Sequence, residues 1–378
     1  MAIENILEIC LADGRKMYDV AKFNSAEYAR GINRVGKATF TLPVHSTSAQ
    51  LLALLSQRDT RINILRSIDG AQPYLDMEMA WFTRRLELTR DLITVSCVDA
   101  MTVLDRRIIA YYASATQTRK TTTAADDMIK AIARENISST ASDYGGSAVR
   151  GLAAARLSVQ ADMTKGAVIS KEFAWRSVLP AFQEIASTSY ENGTYLAFDV
   201  VVADHATGAL QLRTYTGKRG VDRRDPTGTR PILLSEDNGN LNDAVLTYDY
   251  TQEVTWAYAG GKGQENLRVV EEGADTQRAA ASPFNRIEVF VNAATSDDTA
   301  AVEDEATAAV FLGQPLVYVS GEMVETLQCR RGIHFEFGDI VTAEVRGIRN
   351  DYVIDGIDVL VSPGKPTTSK VSLLKYYG

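Results

Sequence analysis

At 378 residues, 45% of them hydrophobic and 23% charged, the chain is too apolar for general disorder and too long for a single core, so two or three domains are expected. A formal net charge of −8 argues against a surface built to grip a phosphate backbone. No window approaches the roughly 18 uninterrupted apolar residues of a membrane span, and the opening MAIENILEICLADGRK lacks the apolar run of a secretion signal, so synthesis in a cytoplasm is expected.

From Asn5 to Val98 the chain reads as short strands: ILEICLA, KMYDVA, KATFTLP, RINILRS, YLDMEMAWF, RRLELT and LITVSCV. Asp13-Gly14 and Asp69-Gly70 suit tight hairpins, because both residues tolerate positive φ, and the runs either side of Arg90-Asp91 form another. A short helix, SAQLLALLSQ, interrupts the strands, with Leu51, Leu54 and Leu55 on one buried stripe.

Between about Arg106 and Gly193 the apolar period changes from two to 3.6. TTTAADDMIKAIARENI predicts a helix with Ala125, Met128, Ile129, Ile132 and Ala133 on one face. Asp126 and Asp127 lie in its first turn, where carboxylates offset the dipole, and the preceding threonines are positioned to cap it. SVLPAFQEIASTSYENG predicts a second helix, capped by Ser177 and burying Leu179, Phe182, Ile185 and Ala186. The small-residue run SSTASDYGGSAVRGLAAAR between them reads as a loop.

Strands resume with the hairpin TYLAFDVVVAD and ALQLRTYTG, turning at His205–Gly208. KRGVDRRDPTGTRP, residues 218–231, reads as an exposed basic loop. DAVLTYDY, EVTWAYAGG, LRVVEE and NRIEVFVNA are further strands, SDDTAAVEDEATAAVFLG is an Ala- and acid-rich helix, and MVETLQC, FGDIVTAEVRG, YVIDGIDVLVS and SKVSLLKYYG are strands again. The fold class is therefore mainly β with α insertions.

No constellation for catalysis stands out. His45, His205 and His334 share no metal-ligand spacing, and Cys329 with His334 lacks an orienting third group, so the pair reads as two residues flanking the turn Arg330-Arg331-Gly332. Gly260-Gly261-Lys262-Gly263 leads into a strand rather than opening a helix, which fits a hairpin turn with positive-φ glycines and not a phosphate loop. Glu271-Glu272 and Glu303-Asp304-Glu305 are sequence neighbours that point to different sides of their elements, so adjacency makes no acid–base pair. Cys10, Cys97 and Cys329 are odd in number and far apart, which reads as buried thiols. Trp81, Trp175 and Trp256 are scattered among core-like runs, which reads as packing.

The run LITVSCVDAMTVLDRRIIAYY, a strand followed by a short helix carrying Leu104 to Ile109, resembles the hub family of siphophage tail proteins, the Gp37-like and central-hub-like tail tip proteins. In the same order, INRVGKATFTLP looks like that family's first-domain strand and VLPAFQEIASTSYENG like its helical insert. VTWAYAGGKGQENLRVVEE, with Arg268, resembles its central hairpin, and FEFGDIVTAEVRG with YVIDGIDVLVSPG its terminal domain.

The resemblance implies a non-enzymatic tail tip or baseplate hub of the virion, assembled in a host cytoplasm. It implies a homotrimer with two tube-like β-barrel domains per chain, forming a ring that closes the tail tube, adapts sixfold to threefold symmetry and lines the DNA exit channel. Implied partners are the tube or distal tail ring, the tape measure protein and fibre or spike proteins, with DNA passing unbound and with no cofactor, metal or catalytic residue. On the pattern, residues 1–105 with 194–240 make the first barrel, 106–193 a helical insertion, and 241–378 the second barrel with a helical insert near 296–313. The sequence departs from longer tail-tip proteins by stopping at Gly378, so the host-binding, peptidoglycan-cleaving or fibre-bearing activity that they carry is not expected from the resemblance. The competing expectations are a carbohydrate-active hydrolase carried on a virion, which needs two carboxylates in a cleft, and a host-surface adhesin, which needs exposed Trp and Tyr on one face.

Overall fold

Alternating apolar residues in the N-terminal region become strands β1 (Ile3–Cys10), β2 (Lys16–Val20), β3 (Ser25–Gly31), β4 (Lys37–Pro43), β5 (Arg61–Ile68), β6 (Tyr74–Leu88) and β7 (Leu92–Asp99), with helix α1 (Ala49–Leu55) after β4. The structure is a computed structural model that describes residues 3–110, 118–141, 150–152, 156–224, 231–263, 267–293 and 299–376. Asp69 and Gly70 both take positive φ, as the tight hairpin requires, and Leu51, Leu54 and Leu55 are the buried face of α1, whose cap Ser48 accepts from Leu51 N. YLDMEMAWF and RRLELT form the single long strand β6, and β3 is an additional strand.

The middle of the chain supplies α2 (Thr102–Asp105), β8 (Thr118–Ala124), α3 (Ala125–Asn136), β9 (Leu157–Val159), β10 (Val168–Phe173), α4 (Val178–Glu191), β11 (Leu196–Asp204) and β12 (Ala209–Thr216). The five residues expected on the inner face of α3 and the four expected on α4 are all buried. They share one core with Leu196, Phe198 and Val200 of β11 and Leu210 and Leu212 of β12. Two local expectations are corrected. The threonines before α3 do not cap it; they lie in β8, paired with β10, because β-branched residues favour a strand. Helix α2 ends at Asp105, and Ile109 instead exchanges backbone bonds with Trp175 and Arg176. Ser177 directly precedes α4, where its carbonyl accepts from Ala181 N and its hydroxyl donates to Asp105 O. Most of the predicted small-residue loop, residues 142–149 and 153–155, lies outside the described residues, as do residues 225–230 of the basic loop.

The remainder forms β13 (Leu233–Ser235), β14 (Leu241–Asp249), β15 (Trp256–Gly260), β16 (Val270–Ala274), α5 (Thr276–Ala279), β17 (Glu288–Asn292), α6 (Thr299–Leu312), β18 (Leu316–Met323), β19 (Ile340–Val345), β20 (Ile348–Val361) and β21 (Thr368–Lys375). MVETLQC is not a strand: β18 ends at Met323, and Thr326 and Cys329 close a turn by exchanging backbone bonds. Two compact units result. One comprises Met1–Ser189, Thr194–Val245 and Val319–Gly378, the other Tyr190–Gly193 and Leu246–Tyr318. In the second, α6 lays Val302, Ala306 and Val310 on Ala257 and Ala259 of the sheet β16-β15-β17.

The main sheet of the first unit runs β14-β18-β21-β20-β3-β4-β7-β6-β5-β1-β2, with β19 joined to β20 and β13 to β19. Strands from before residue 100 are contiguous on one side and strands from after residue 232 on the other, joined where β3 meets β20 through pairs such as Gly31 with Gly356 and Ala26 with Val361. The sheet is open: its end strands β14 and β2 do not pair, and no closed barrel is found among the described residues. The overall class is mainly β with few helices.

Candidate functional site

The seam between β3 and β20 is underlain by charges that the folded chain cannot expose. Arg30, on the inward register of β3, ion-pairs with Asp199 of β11 at 2.5 Å and donates to Met77 O at 2.8 Å. Asp199 also receives Arg219, at 3.0 and 2.8 Å, so one buried carboxylate is held by two guanidiniums. Phe337 lies under both cations, 4.6 Å from Arg30 and 4.5 Å from Arg219, and its carbonyl accepts from Arg219. Burial alone raises the Asp199 carboxyl, but the two arginines outweigh it and hold the pKa below the ordinary range.

A second buried cluster joins β6 to the segment before β19. Asp76 accepts two bonds from Arg331, 2.7 and 3.0 Å, and one from the Tyr28 hydroxyl; Arg66 donates to the Arg331 carbonyl and pairs with Glu325. A third contact ties two hairpins, where His205 Nε2 sits 2.8 Å from Glu8 Oε1 and Asn63 donates to the same oxygen at 2.8 Å. Gly14 and Gly208 meet there so closely that a Cβ on Gly14 would lie 2.6 Å from the Gly208 Cα, which is why both tips carry glycine.

Asp99 behaves oppositely to Asp199. It is fully buried and accepts from Gly36 N at 2.8 Å and Met101 N at 3.0 Å, yet burial pushes its pKa up to about 7, beyond what the Arg30 charge and these bonds offset. The group is protonated in the folded state and ionised in the unfolded state between about pH 4 and 7. Its contribution is therefore fully present below about pH 4 and is lost as pH rises to about 7. Asp99→Asn is expected to gain stability relative to the parent as pH rises through this window, read by urea titrations at about pH 5 and pH 7. An equal difference at both pH values would refute the assignment.

Above the seam lies an open groove of about 670 Å³. Its floor is the side-chain-poor row Gly31, Gly356 and Ser372, directly paired across β3, β20 and β21, with Gly321 of β18 also lining it. Arg34, Lys37 and Lys370 line it together with Asp243, Glu322 and Asp358; Lys370 sits opposite Asp358 in the register, and Arg34 pairs with Asp355. A trough with such mixed walls can receive a polypeptide edge or loop. Asp243 and Asp358 are exposed, whereas the acid of a glycoside hydrolase needs shielding from water.

The candidates weighed from the sequence are not brought together. Cys329 is buried with its thiol pushed up to about 11, mainly by burial, opposite to what a nucleophile needs, and His334 Nδ1 accepts from Arg330 N. Cys10 and Cys97 are also buried. His45 lies in a 3-10 turn, Val44–Ser46. Asp126 is engaged by Lys130 Nζ at 2.9 Å and by Lys165 N, and Asp127 by Met163 N and Thr164 N. In the second unit, of the glycines in the Gly260–Gly263 turn only Gly263 has positive φ; Gly260 is glycine because a Cβ would strike Arg268 and Phe290 at 2.5 Å. Glu272 accepts from Trp256 Nε1, and Glu303, Asp304 and Glu305 are exposed on α6. Trp81 is buried against Tyr28, but Trp175 is 54% exposed, which corrects the reading of every tryptophan as core. Trp256 and Phe290 lie on the sheet face away from α6, yet Arg286 stacks 3.7 Å over the indole and Arg268 lies 5.1 Å from the Phe290 ring, so guanidiniums occupy those ring faces. The buried ion-paired residues carry no motif. Their one signal is a charge set within an apolar strand, as in LAFDVVV and RINILRS.

Residues 7–373 match the family model described as Siphovirus ReqiPepy6 Gp37-like protein. Among solved structures the chain is similar to the 43 kDa tail protein of prophage MuSo2 from Shewanella oneidensis, at 11% identity over 98% of each chain with a TM-score of 0.61. It is also similar to the tail protein from Neisseria meningitidis MC58, at 12% identity over 98% of this chain and 97% of that one, TM-score 0.59. A chain of the half-lidded Francisella PdpA-VgrG complex is similar over all of this chain and 58% of its own length, at 8% identity and TM-score 0.51. At these identities the likeness is one of fold. No curated protein matches in sequence.

Proposed function

The chain belongs to the Siphovirus ReqiPepy6 Gp37-like protein family, and on that premise we propose that it is a structural protein of a bacteriophage tail, the hub of the tail tip or baseplate. Likeness in fold to two tail proteins over nearly their whole lengths supports this reading. In finer detail, three copies form a ring that closes the tail tube, adapts sixfold to threefold symmetry and surrounds the path of DNA. The observation that carries it is the strand order: one sheet made of two spatially contiguous halves, from the beginning and the end of the chain, meeting at β3 and β20. Two such modules per chain, repeated three times, supply six around an axis, and the open ends at β2 and β14 leave closure to neighbouring copies.

The net charge of −8 suits a lumen through which DNA passes without sticking. The seam groove is a docking surface for the adjoining ring of the tube or distal tail, and the tape measure and fibre or spike proteins are the remaining partners in the virion.

Purified protein is expected to sediment as a trimer at micromolar concentration, with rings visible by electron microscopy and interfaces above roughly 1,000 Å². A monodisperse monomer that forms no ring in assembled particles would overturn the hub reading. A strongly basic inner surface of the ring would overturn the unbound passage of DNA.

A further inference from the structure

Away from the seam, the first unit holds a pocket of about 270 Å³ lined by Arg58, Arg84, Arg85 and Arg106, with Asp59 and Thr83. Four guanidiniums from three separate segments converge in a chain whose net charge is −8, so the cluster is not a sample of the average surface. Two backbone features build it. The β6–β7 register shifts between Thr83 and Arg85, so Arg84 and Arg85 together oppose Ser96, and such a bulge re-aims a side chain. Asp59, in the turn after α1, takes φ +59, a conformation uncommon outside glycine, and from there its carboxylate pairs with both Arg84 and Arg106. Glu87 pairs with Arg85, while Arg58 is exposed and has no acid partner among the described residues. The positive crowding extends beyond the rim: burial first, then repulsion by Arg150 and Arg106, lowers the pKa of Arg107.

We propose that this pocket is a docking site for an acidic protein segment, whose adjacent carboxylates enter between Arg84 and Arg106, take over the pairing that Asp59 provides, and reach Arg58. The arginine fork matches a planar carboxylate with two parallel bonds. The cavity's size favours side-chain head groups over nucleic acid, which needs a basic strip that follows its backbone. Asp59 holds the arginines in place until a better-placed acid arrives, which keeps the empty pocket ordered.

The test uses the full-length protein and a fluorescently labelled hexaglutamate peptide, followed by anisotropy at low salt. Binding is expected, weakening as salt is raised. Arg58→Ala combined with Arg84→Ala should reduce affinity about tenfold, since a tenfold change corresponds to roughly 1.4 kcal/mol, less than one good charge-assisted bond. Arg58→Ala alone removes a side chain with no acid partner among the described residues, so it reports on the pocket even where the double variant fails to fold. Absence of peptide binding at low salt, or equal binding by parent and Arg58→Ala, overturns the proposal. So does tighter binding of inorganic phosphate or a single-stranded DNA oligonucleotide through the same arginines, because the pocket would then serve a phosphate. The readout does not depend on ring formation, so its failure leaves the hub reading standing, and a monomeric protein that binds the peptide leaves this inference standing.

Discussion

Arg331→Met is expected to lower the stability of the folded protein by about 3–5 kcal/mol, the usual result of removing one partner of a buried ion pair. Arg331 and Asp76 each expose only 1% of their side chains, and their two parallel bonds are supplemented by the Tyr28 hydroxyl. Without the guanidinium, Asp76 stays in the interior with a single hydroxyl donor. The pH dependence should change sign with the substitution. In the parent, burial raises the Asp76 carboxyl but Arg331 outweighs it and the pKa is lowered, so its contribution is present at neutral pH and is lost only as pH falls through that depressed value. In the variant, burial prevails, the folded-state pKa rises, and stability falls as pH increases from about 4 towards 7. Denaturant titrations at about pH 5 and pH 7 measure both effects. The triple variant Tyr28→Phe, Asp76→Leu, Arg331→Met is expected to recover most of the loss, because it removes the buried charge along with its partner. A loss below about 1 kcal/mol for Arg331→Met would mean that water reaches this cluster.

Phe182→Ala should cost a comparable amount, about 3–5 kcal/mol, for a different reason. Phe182 is fully buried between α4 and β11, and its ring meets Phe198 edge to face at 5.6 Å. Truncation removes apolar burial and leaves a cavity that α3, packed on the same core, cannot close without shifting Met128, Ile129 and Ile132. The midpoint of urea unfolding should fall with an unchanged slope. Phe182→Leu, which keeps most of the volume, is expected to lose less than half as much as the alanine variant.

The two positions differ in how far the sequence announces them. Phe182 repeats with Leu179, Ile185 and Ala186 at helical spacing, and the buried face of α4 is the predicted one. The stripes of α1 and α3 and the hairpins at Asp69-Gly70 and His205–Gly208 are legible for the same reason. Strand β18 is not: LVYVSGE falls unassigned in the sequence between the helix ending at Gly313 and the run MVETLQC. Nor is the exposure of Trp175, whose apolar surroundings in sequence are not its surroundings in space. Arg331 and Asp76 sit 255 positions apart, and nothing near either one names the other.

The sequence by itself determined most of the elements, the buried faces of α1, α3 and α4, the mainly β class and, through collinear motifs, the family, because hydrogen-bonded repeats of two and 3.6 residues are set by neighbours along the chain. Only the tertiary structure decided that β20 lies beside β3, that Asp199 serves two arginines, and that four guanidiniums share one pocket. Those outcomes depend on which distant segments the folded path brings together, and a buried charge is stable only where that path supplies its partner.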